Sequence, residues 1–456
     1  MFGLSLLMAI FIVIALLLSI FFILINGFHD TANAVTSVIY TNSMKPEQAV
    51  FSSAFFNFLG VISGGIGVGL SIIYLLPYEI VNDQDLKTNL IMVYSMLLSA
   101  IIWNLGTWYV GIPSSSSHAL IGAILGISLA LFVNKDGEYY FNLFDWNESK
   151  KLIFGLIIAP ILGFSMAILL MLCLKFFFNN SRLKNELFET QDKNHEPPKG
   201  IKIVLFISSN LVSFFHGKND GQKGMGLIMI VLISLLPSFF SINPDLNPQI
   251  IKTEINKIEK IVDSNPSENL TSLKNSIKEF KSMPEESGQE KKIRKNLIEI
   301  NQKISEITSS NNQEVATLIP ELNKVKSTLV GHINYVPKWV VYLVAIILAF
   351  GTMIGWKRIV ITIGEKIGRS EITYAQGVSA ELVAASTIGF ASLFSLPVST
   401  THTLSSGISG TMVVDKGFSN LQLNTVIKIL LIWLLTLPGT CLLTASNFIF
   451  LKLLIN

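Results

Sequence analysis

Apolar runs alternate with short polar connections along nearly the whole chain. In the first half the runs cover residues 4–40, 48–76, 89–110, 113–133 and 152–178; in the second they cover 201–243, 338–356, 375–395, 397–415 and 423–449. A helix needs about 20 predominantly apolar residues to cross a bilayer, so this pattern predicts an all-α polytopic membrane protein with five segments per half. The runs at 4–40 and 201–243 are too long for one simple crossing. A polar stretch at residues 244–336 interrupts the second half, and within it Ile251, Ile255, Ile258 and Val262 recur at helical spacing. That predicts a small helical module outside the membrane. The expected organisation is a first membrane repeat at 1–178, a linker at 179–200, a second repeat at 201–243 and 337–456, and the insertion at 244–336.

The polar residues inside the apolar runs form two matched pairs of signatures. GFHDTANAV at Gly27 to Val35 is answered by HGKNDGQKGMG at His216 to Gly226, and PSSSSHALIGAILG at Pro113 to Gly126 by PVSTTHTLSSGISG at Pro397 to Gly410. The interval from Asp220 to His402 exceeds that from Asp30 to His118 by nearly the length of the polar insertion, so without it the halves are equal. Five crossings reverse the second half relative to the membrane. The repeats are therefore expected to be inverted about an axis in the membrane plane, with broken or re-entrant helices at the signatures, as in secondary transporters. Breaks near mid-depth are expected in the first and sixth segments, where Gly, Asn and small residues surround Asp30 and Asp220.

Composition and charge narrow the picture. Charged residues make up 14% of the chain, apolar residues 50%, and the net charge of +3 is too small and dispersed to suggest a nucleic-acid partner. Leu4 to Ile25 carries no charge and lacks the basic region and short core of a cleavable signal, so it reads as a first membrane helix. Cys173 and Cys441 both fall in apolar runs and suggest no disulfide framework. Lys175, Arg182, Lys184, Lys193, Lys199 and Lys202 surround the linker between the halves, and Lys357, Arg358, Lys366 and Arg369 follow the seventh segment. By the positive-inside rule both loops face the cytoplasm of a cell inner (plasma) membrane, and the loop at 77–88, with Glu79, Asp83 and Asp85 against Lys87, faces outward. Both termini and the insertion are then expected outside. Trp339 and Trp356 bracket the seventh segment as interfacial anchors.

An ionisable group at membrane depth costs at least roughly 2.5–3.5 kcal/mol and usually has a function. Asp30 and Asp220 stand first among such groups; each suits a small cation, sodium or a proton, although each would also serve as a helix cap. His29 adjoins Asp30, and histidine is the side chain that ordinarily changes charge near neutral pH, which fits a proton carrier or a divalent-metal ligand. Glu381, inside the run SAELVAAS, fits proton carriage or a structural hydrogen bond. Lys218 and Lys223 bring positive charge toward an anion or snorkel to the surface. Pro113 and Pro397 end one segment and open the next, so Ser114 to Ser117 and Ser399 to Thr401 set hydroxyls and free amides at two helix N-termini. A phosphate or sulfate oxyanion fits that environment, although the same hydroxyls also permit close helix packing. No Walker A pattern is present, and no Ser, His and Asp set has catalytic spacing, so neither ATP drive nor an enzyme is expected.

Together these segments, with NGFHDTANAVTSVIYT, IIWNLGTWYVGIPSSSSH, GKNDGQKGMGLIMIVLI and GTMIGWKR, resemble the inorganic phosphate transporter (Pit) family, and most closely its bacterial low-affinity branch. The resemblance spans nearly all the membrane-embedded chain and implies inverted repeats, a homodimer, and import of inorganic phosphate by alternating access. It implies that Ser115, Ser116, Ser117, Ser399, Thr400 and Thr401 contact phosphate, with Asn219 and Gln222 beside it. Asp30, Asn33, Asp220, His29 and Glu381 are the implied coupling-ion residues. Many members carry Asn where this chain has His29, Lys223 replaces an Asn found in others, and Asn57 stands where some relatives have a glutamate. The resemblance to the bacterial branch implies a proton as coupling cation, with phosphate also carried as a neutral complex with Mg²⁺ or another divalent metal and no covalent cofactor. Sodium coupling, a sulfate or other oxyanion carrier, and a membrane phosphate sensor signalling through the outer module are the alternatives.

Overall fold

The computed structural model describes residues 5–76, 85–134, 146–190, 197–265, 267, 270–283, 289–309 and 313–455. Glu79 and Asp83 of the expected outward loop and Lys193 of the linker lie outside the described residues. The chain falls into two compact units: Met1–Pro77, Lys87–Ile228 and Lys338–Asn456 form the larger, and Tyr78–Leu86 with Met229–Pro337 the smaller.

In the larger unit the order of elements repeats. The first set is α1 (Leu6–Tyr40), the bent pair α2 (Pro46–Ser63) and α3 (Gly67–Ile73), α4 (Leu86–Val110), α5 (Ser116–Asn134) and α6 (Trp146–Phe178). The second is α7 (Lys199–Leu235), then, beyond the insertion, α8 (Lys338–Thr352), α9 (Lys357–Glu365), α10 (Tyr374–Leu393), α11 (Thr400–Lys416) and α12 (Leu423–Ile455). Among the described residues five helices (α1, α4, α6, α7 and α12) are long and apolar enough to cross a membrane singly, which makes the chain a multi-pass membrane protein. All ten apolar runs hold helices, but α8 and α11, with 15 and 17 residues, are short for a crossing.

Two details correct the sequence reading. The breaks expected at the first pair of signatures are absent: α1 runs unbroken for 35 residues through Asp30, and α7 for 37 residues through Asp220. Their glycines serve close packing instead. A Cβ on Gly27 would lie 2.6 Å from the Leu348 carbonyl oxygen of α8, and one on Gly217 would lie 2.1 Å from that of Asn57 in α2. The break falls between α2 and α3, which bend by 75° at Gly64–Ile66. Nor do Trp339 and Trp356 bracket one helix, because α8 stops at Thr352 and Gly355, with φ +73°, turns the chain before Trp356.

The second pair of signatures folds as expected from its prolines. Helix α4 ends with Gly111 at φ +76° and the Ile112 N–H on the Thr107 carbonyl; α10 ends with Ser395 at φ +58° and the Leu396 N–H on the Ala391 carbonyl. Both are Schellman caps, which close the last turn and release the chain into an extended step. That step carries Pro113 or Pro397 to the hydroxyl-rich start of α5 or α11. The halves interlock here. Helix α6 packs along α11 and α12 along α5, with a Cβ on Gly410 falling 2.5 Å from the Phe164 carbonyl and one on Gly126 falling 2.4 Å from that of Cys441.

The smaller unit contains helices Pro248–Ser264, Thr271–Lys281, Glu290–Ser309 and Ile319–Ile333. Ile251, Ile255, Ile258 and Val262 share its apolar core with Leu273, Leu297, Ile300 and Leu322. Buried Arg294 donates to the Ser241 and Ile333 carbonyls at 2.7 Å each, which satisfies backbone acceptors that no helix partner reaches.

Candidate ion and oxyanion site

Because α1 and α7 stay helical, their carbonyls remain in the helix ladder, and the site is built from side chains and the extended steps before α5 and α11. Asp30 of α1 faces both hydroxyl-rich termini. One carboxylate oxygen accepts from the Ser116 hydroxyl at 2.9 Å; the other accepts from the Thr401 hydroxyl. Thr401 also accepts from the Asn33 amide at 3.0 Å. Ser116 lies 2.5 Å from the Asn26 side-chain oxygen as well, and since a hydroxyl has one proton, Asn26 and Asp30 share that donor in turn.

Asp220 of α7 comes to the same place from the other half. Its Oδ1 is 2.6 Å from the Lys223 ammonium, one turn away, and its Oδ2 is 3.7 Å from Nδ1 of His216. Lys223 donates further to the Ser117 hydroxyl at 2.5 Å and the Val398 carbonyl at 2.7 Å. Asp30, His216 and Asp220, all buried, each offer a ligand atom within 4.8 Å of the others. Among the described residues Asp220 Oδ2, both His216 nitrogens, Asn33 Oδ1 and Asn219 Oδ1 find no hydrogen-bond partner. Buried polar atoms are almost always paired, so this cluster has the donor set to receive a ligand. Two carboxylates against one ammonium also leave the cluster with one negative charge in excess. A buried unbalanced carboxylate favours binding a cation or a proton.

The remaining candidate residues take supporting positions. Ser115 and Ser399 cap α5 and α11, accepting from the His118 and His402 N–H groups at 3.2 and 3.1 Å. Thr400, buried, opens α11. Asn219 donates to Ser392 and the Leu396 carbonyl, holding the step before α11. Gln222 accepts from the Val68 N–H at 2.9 Å, so it caps α3 at the bend, away from the carboxylate cluster. His29 approaches Asp30 to 3.8 Å through Nδ1, while its Nε2 lies 3.4 Å from the Thr107 hydroxyl. Glu381 sits apart, accepting from Ser37 of α1 and Ser208 of α7; Ser37 is two turns from Asp30, about 10 Å along the helix.

Two features lay outside the expected site residues, and of the two positions expected for Lys223 the structure shows the inward one. His216 joins the carboxylates, and its signal was present as the i, i+4 spacing to Asp220. The His118 and His402 rings lie 4.5 Å apart, His402 stacks on Trp433 at 3.9 Å, and the Trp433 N–H donates to the Pro113 carbonyl at 3.0 Å.

The chain matches the PHO4 profile, the phosphate transporter family, over residues 26–444. The chain belongs to the phosphate transporter family. It is 38% identical to the low-affinity inorganic phosphate transporter PitA of Escherichia coli (strain K12), over 97% of each chain. It is also 38% identical to the low-affinity inorganic phosphate transporter of Buchnera aphidicola subsp. Acyrthosiphon pisum, over 95% of this chain and 94% of the relative. A solved sodium-dependent phosphate transporter shares the fold at a TM-score of 0.57 and 18% identity, over 97% of this chain and 99% of the other.

Proposed function

We propose that this family member imports inorganic phosphate together with a cation, as a secondary symporter working by alternating access. The observation that carries the reading is the meeting of Asp30, His216 and Asp220, from both halves, beside the N-termini of α5 and α11. Helix N-termini suit an oxyanion, for which the Ser116 and Thr401 hydroxyls would exchange their bonds to Asp30. The adjoining carboxylates would repel it unless a cation enters with it, which links the two substrates.

A proton is the favoured coupling ion. Glu381, enclosed between two serine hydroxyls, is a buried carboxyl group with no cationic partner among the described residues, the arrangement of a proton carrier. Phosphate entering as a neutral divalent-metal complex would further relieve repulsion at a cluster that already carries a net negative charge. The Lys and Arg residues of the linker and of the loop after α8 support a plasma-membrane orientation with termini and insertion outside, and the family resemblance supports two copies per assembly. The chemistry required is binding and release, not bond making, so no enzymatic step is assigned.

Labelled phosphate uptake into proteoliposomes tests this. Uptake driven by an inward proton gradient, independent of sodium and raised by magnesium, is expected. Uptake that requires sodium replaces the proton with sodium, uptake of sulfate in preference to phosphate replaces the anion, and no net flux in either gradient leaves a sensor.

A further inference from the structure

Lys223 lies where a basic residue would ordinarily be taken for a phosphate ligand. Its hydrogen bonding argues otherwise. An ammonium has three N–H donors, and all three are engaged: by the Asp220 carboxylate at 2.6 Å, the Ser117 hydroxyl at 2.5 Å and the Val398 carbonyl at 2.7 Å. None remains for an incoming anion. The side chain is 3% exposed, so it does not snorkel to a surface.

The three acceptors have a chemical identity of their own. One carboxylate, one hydroxyl and one backbone carbonyl are hard oxygen donors, of the kind that transporters gather around a coupling alkali-metal cation. The carbonyl comes from the extended step before α11, where Val398 stands outside the helix ladder; the hydroxyl comes from the first turn of α5. Both half-helix starts and α7 are thus drawn onto a single positive charge. Two helix N-termini repel a bare cation, and Asp220 offsets that repulsion.

We propose that the Lys223 ammonium is a tethered cation that permanently fills an alkali-metal site, so that this transporter needs no sodium ion there. The inference rests on the reading of the chain as a cation-coupled transporter. Its physical consequence is direct. Shortening residue 223 leaves three inward-facing oxygens, one of them a buried unpaired carboxylate, around a space the size of an ammonium. A sodium ion restores the charge balance, as the tethered one did.

The test uses full-length protein in detergent, without phosphate, and compares thermal unfolding in sodium chloride and choline chloride at equal ionic strength. Wild type supplies the baseline response of the rest of the protein. Lys223→Ala is expected to be destabilised in choline and restored by sodium saturably, well beyond that baseline. Lys223→Met loses the same charge but keeps a terminal methyl in the space, and is expected to show only the baseline response. Asp220→Asn with Lys223→Ala removes the carboxylate and should lose the extra response too. With phosphate added, sodium should strengthen binding to Lys223→Ala by roughly tenfold over choline, within the usual range for coupled sites. A Lys223→Ala protein that responds to sodium as wild type does, or that fails to fold even in sodium, overturns the proposal. An equal gain in Lys223→Met overturns it as well. Failure of wild type to bind phosphate would instead count against the proposed function, since the sodium readout needs no phosphate.

Discussion

The Ser116 hydroxyl, in the first turn of α5, donates to the Asp30 carboxylate of α1 at 2.9 Å. With Thr401 at the matching place in α11, it ties both hydroxyl-rich termini to one carboxylate. Movement of either terminus is therefore felt at Asp30.

Removing both hydroxyls should separate the anion site from the cation site. A hydrogen bond to a charged group contributes about 1.5–3 kcal/mol. Ser116→Ala with Thr401→Ala is expected to raise the half-saturating phosphate concentration at least roughly tenfold, since 1.4 kcal/mol is a factor of ten. Phosphate titration of uptake measures it, and an unchanged value would reduce both hydroxyls to packing groups.

The two aspartates occupy matching signatures but should not respond alike. Asp220→Asn leaves the buried Lys223 ammonium without its carboxylate, a loss of about 3–5 kcal/mol for a buried pair. Asp30 has only hydroxyl donors and a histidine at 3.8 Å, so Asp30→Asn should unfold at a temperature closer to wild type. Both should lose gradient-driven uptake. Equal melting temperatures for the two variants would contradict the pairing described for Lys223.

Glu381→Gln keeps the size of the side chain and can still bond Ser37 and Ser208, but cannot carry a proton. Uptake driven by a proton gradient is expected to fall by an order of magnitude or more, while exchange of labelled for unlabelled phosphate persists. If net uptake and exchange decline together, Glu381 is a structural residue.

Gly27→Ala places a methyl 2.6 Å from the Leu348 carbonyl and 2.9 Å from the Gly351 Cα, both backbone atoms that cannot swing aside. Overpacking of this kind costs about 1–3 kcal/mol. Gly106→Ala, with nothing within 4 Å of the added Cβ, should leave the melting temperature unchanged or raise it slightly. A reversed order in thermal unfolding would mean that α1 bends at Gly27 after all.

Much of the architecture was legible in the chain because its causes are local or periodic. Runs of apolar residues must fold as helices in a bilayer, since backbone groups there have no water to bond. Pro113 and Pro397 announced the extended steps, and the hydroxyls after them announced the caps that Ser115 and Ser399 provide. The repetition of signatures carried Asp30 and Asp220 into view as a pair. What a glycine does was not legible: in α1 and α7 the same residues that permit a break were used for contact, a choice made by the carbonyls of Leu348 and Asn57.

The sequence by itself determined an all-helical membrane chain in two matched halves, the residues that end its helices, and the few polar groups that must find partners at depth. Only the tertiary structure decided which partners those are. Lys223 turns inward because Ser117 and Val398, 106 and 175 residues away along the chain, supply the acceptors that hold it beside Asp220. Gln222, one residue earlier in sequence, instead reaches the buried first-turn amide of Val68 at the α2–α3 bend. Adjacent side chains on a helix point about 100° apart, so neighbours in sequence meet different surroundings, and those surroundings exist only once the distant segments have packed.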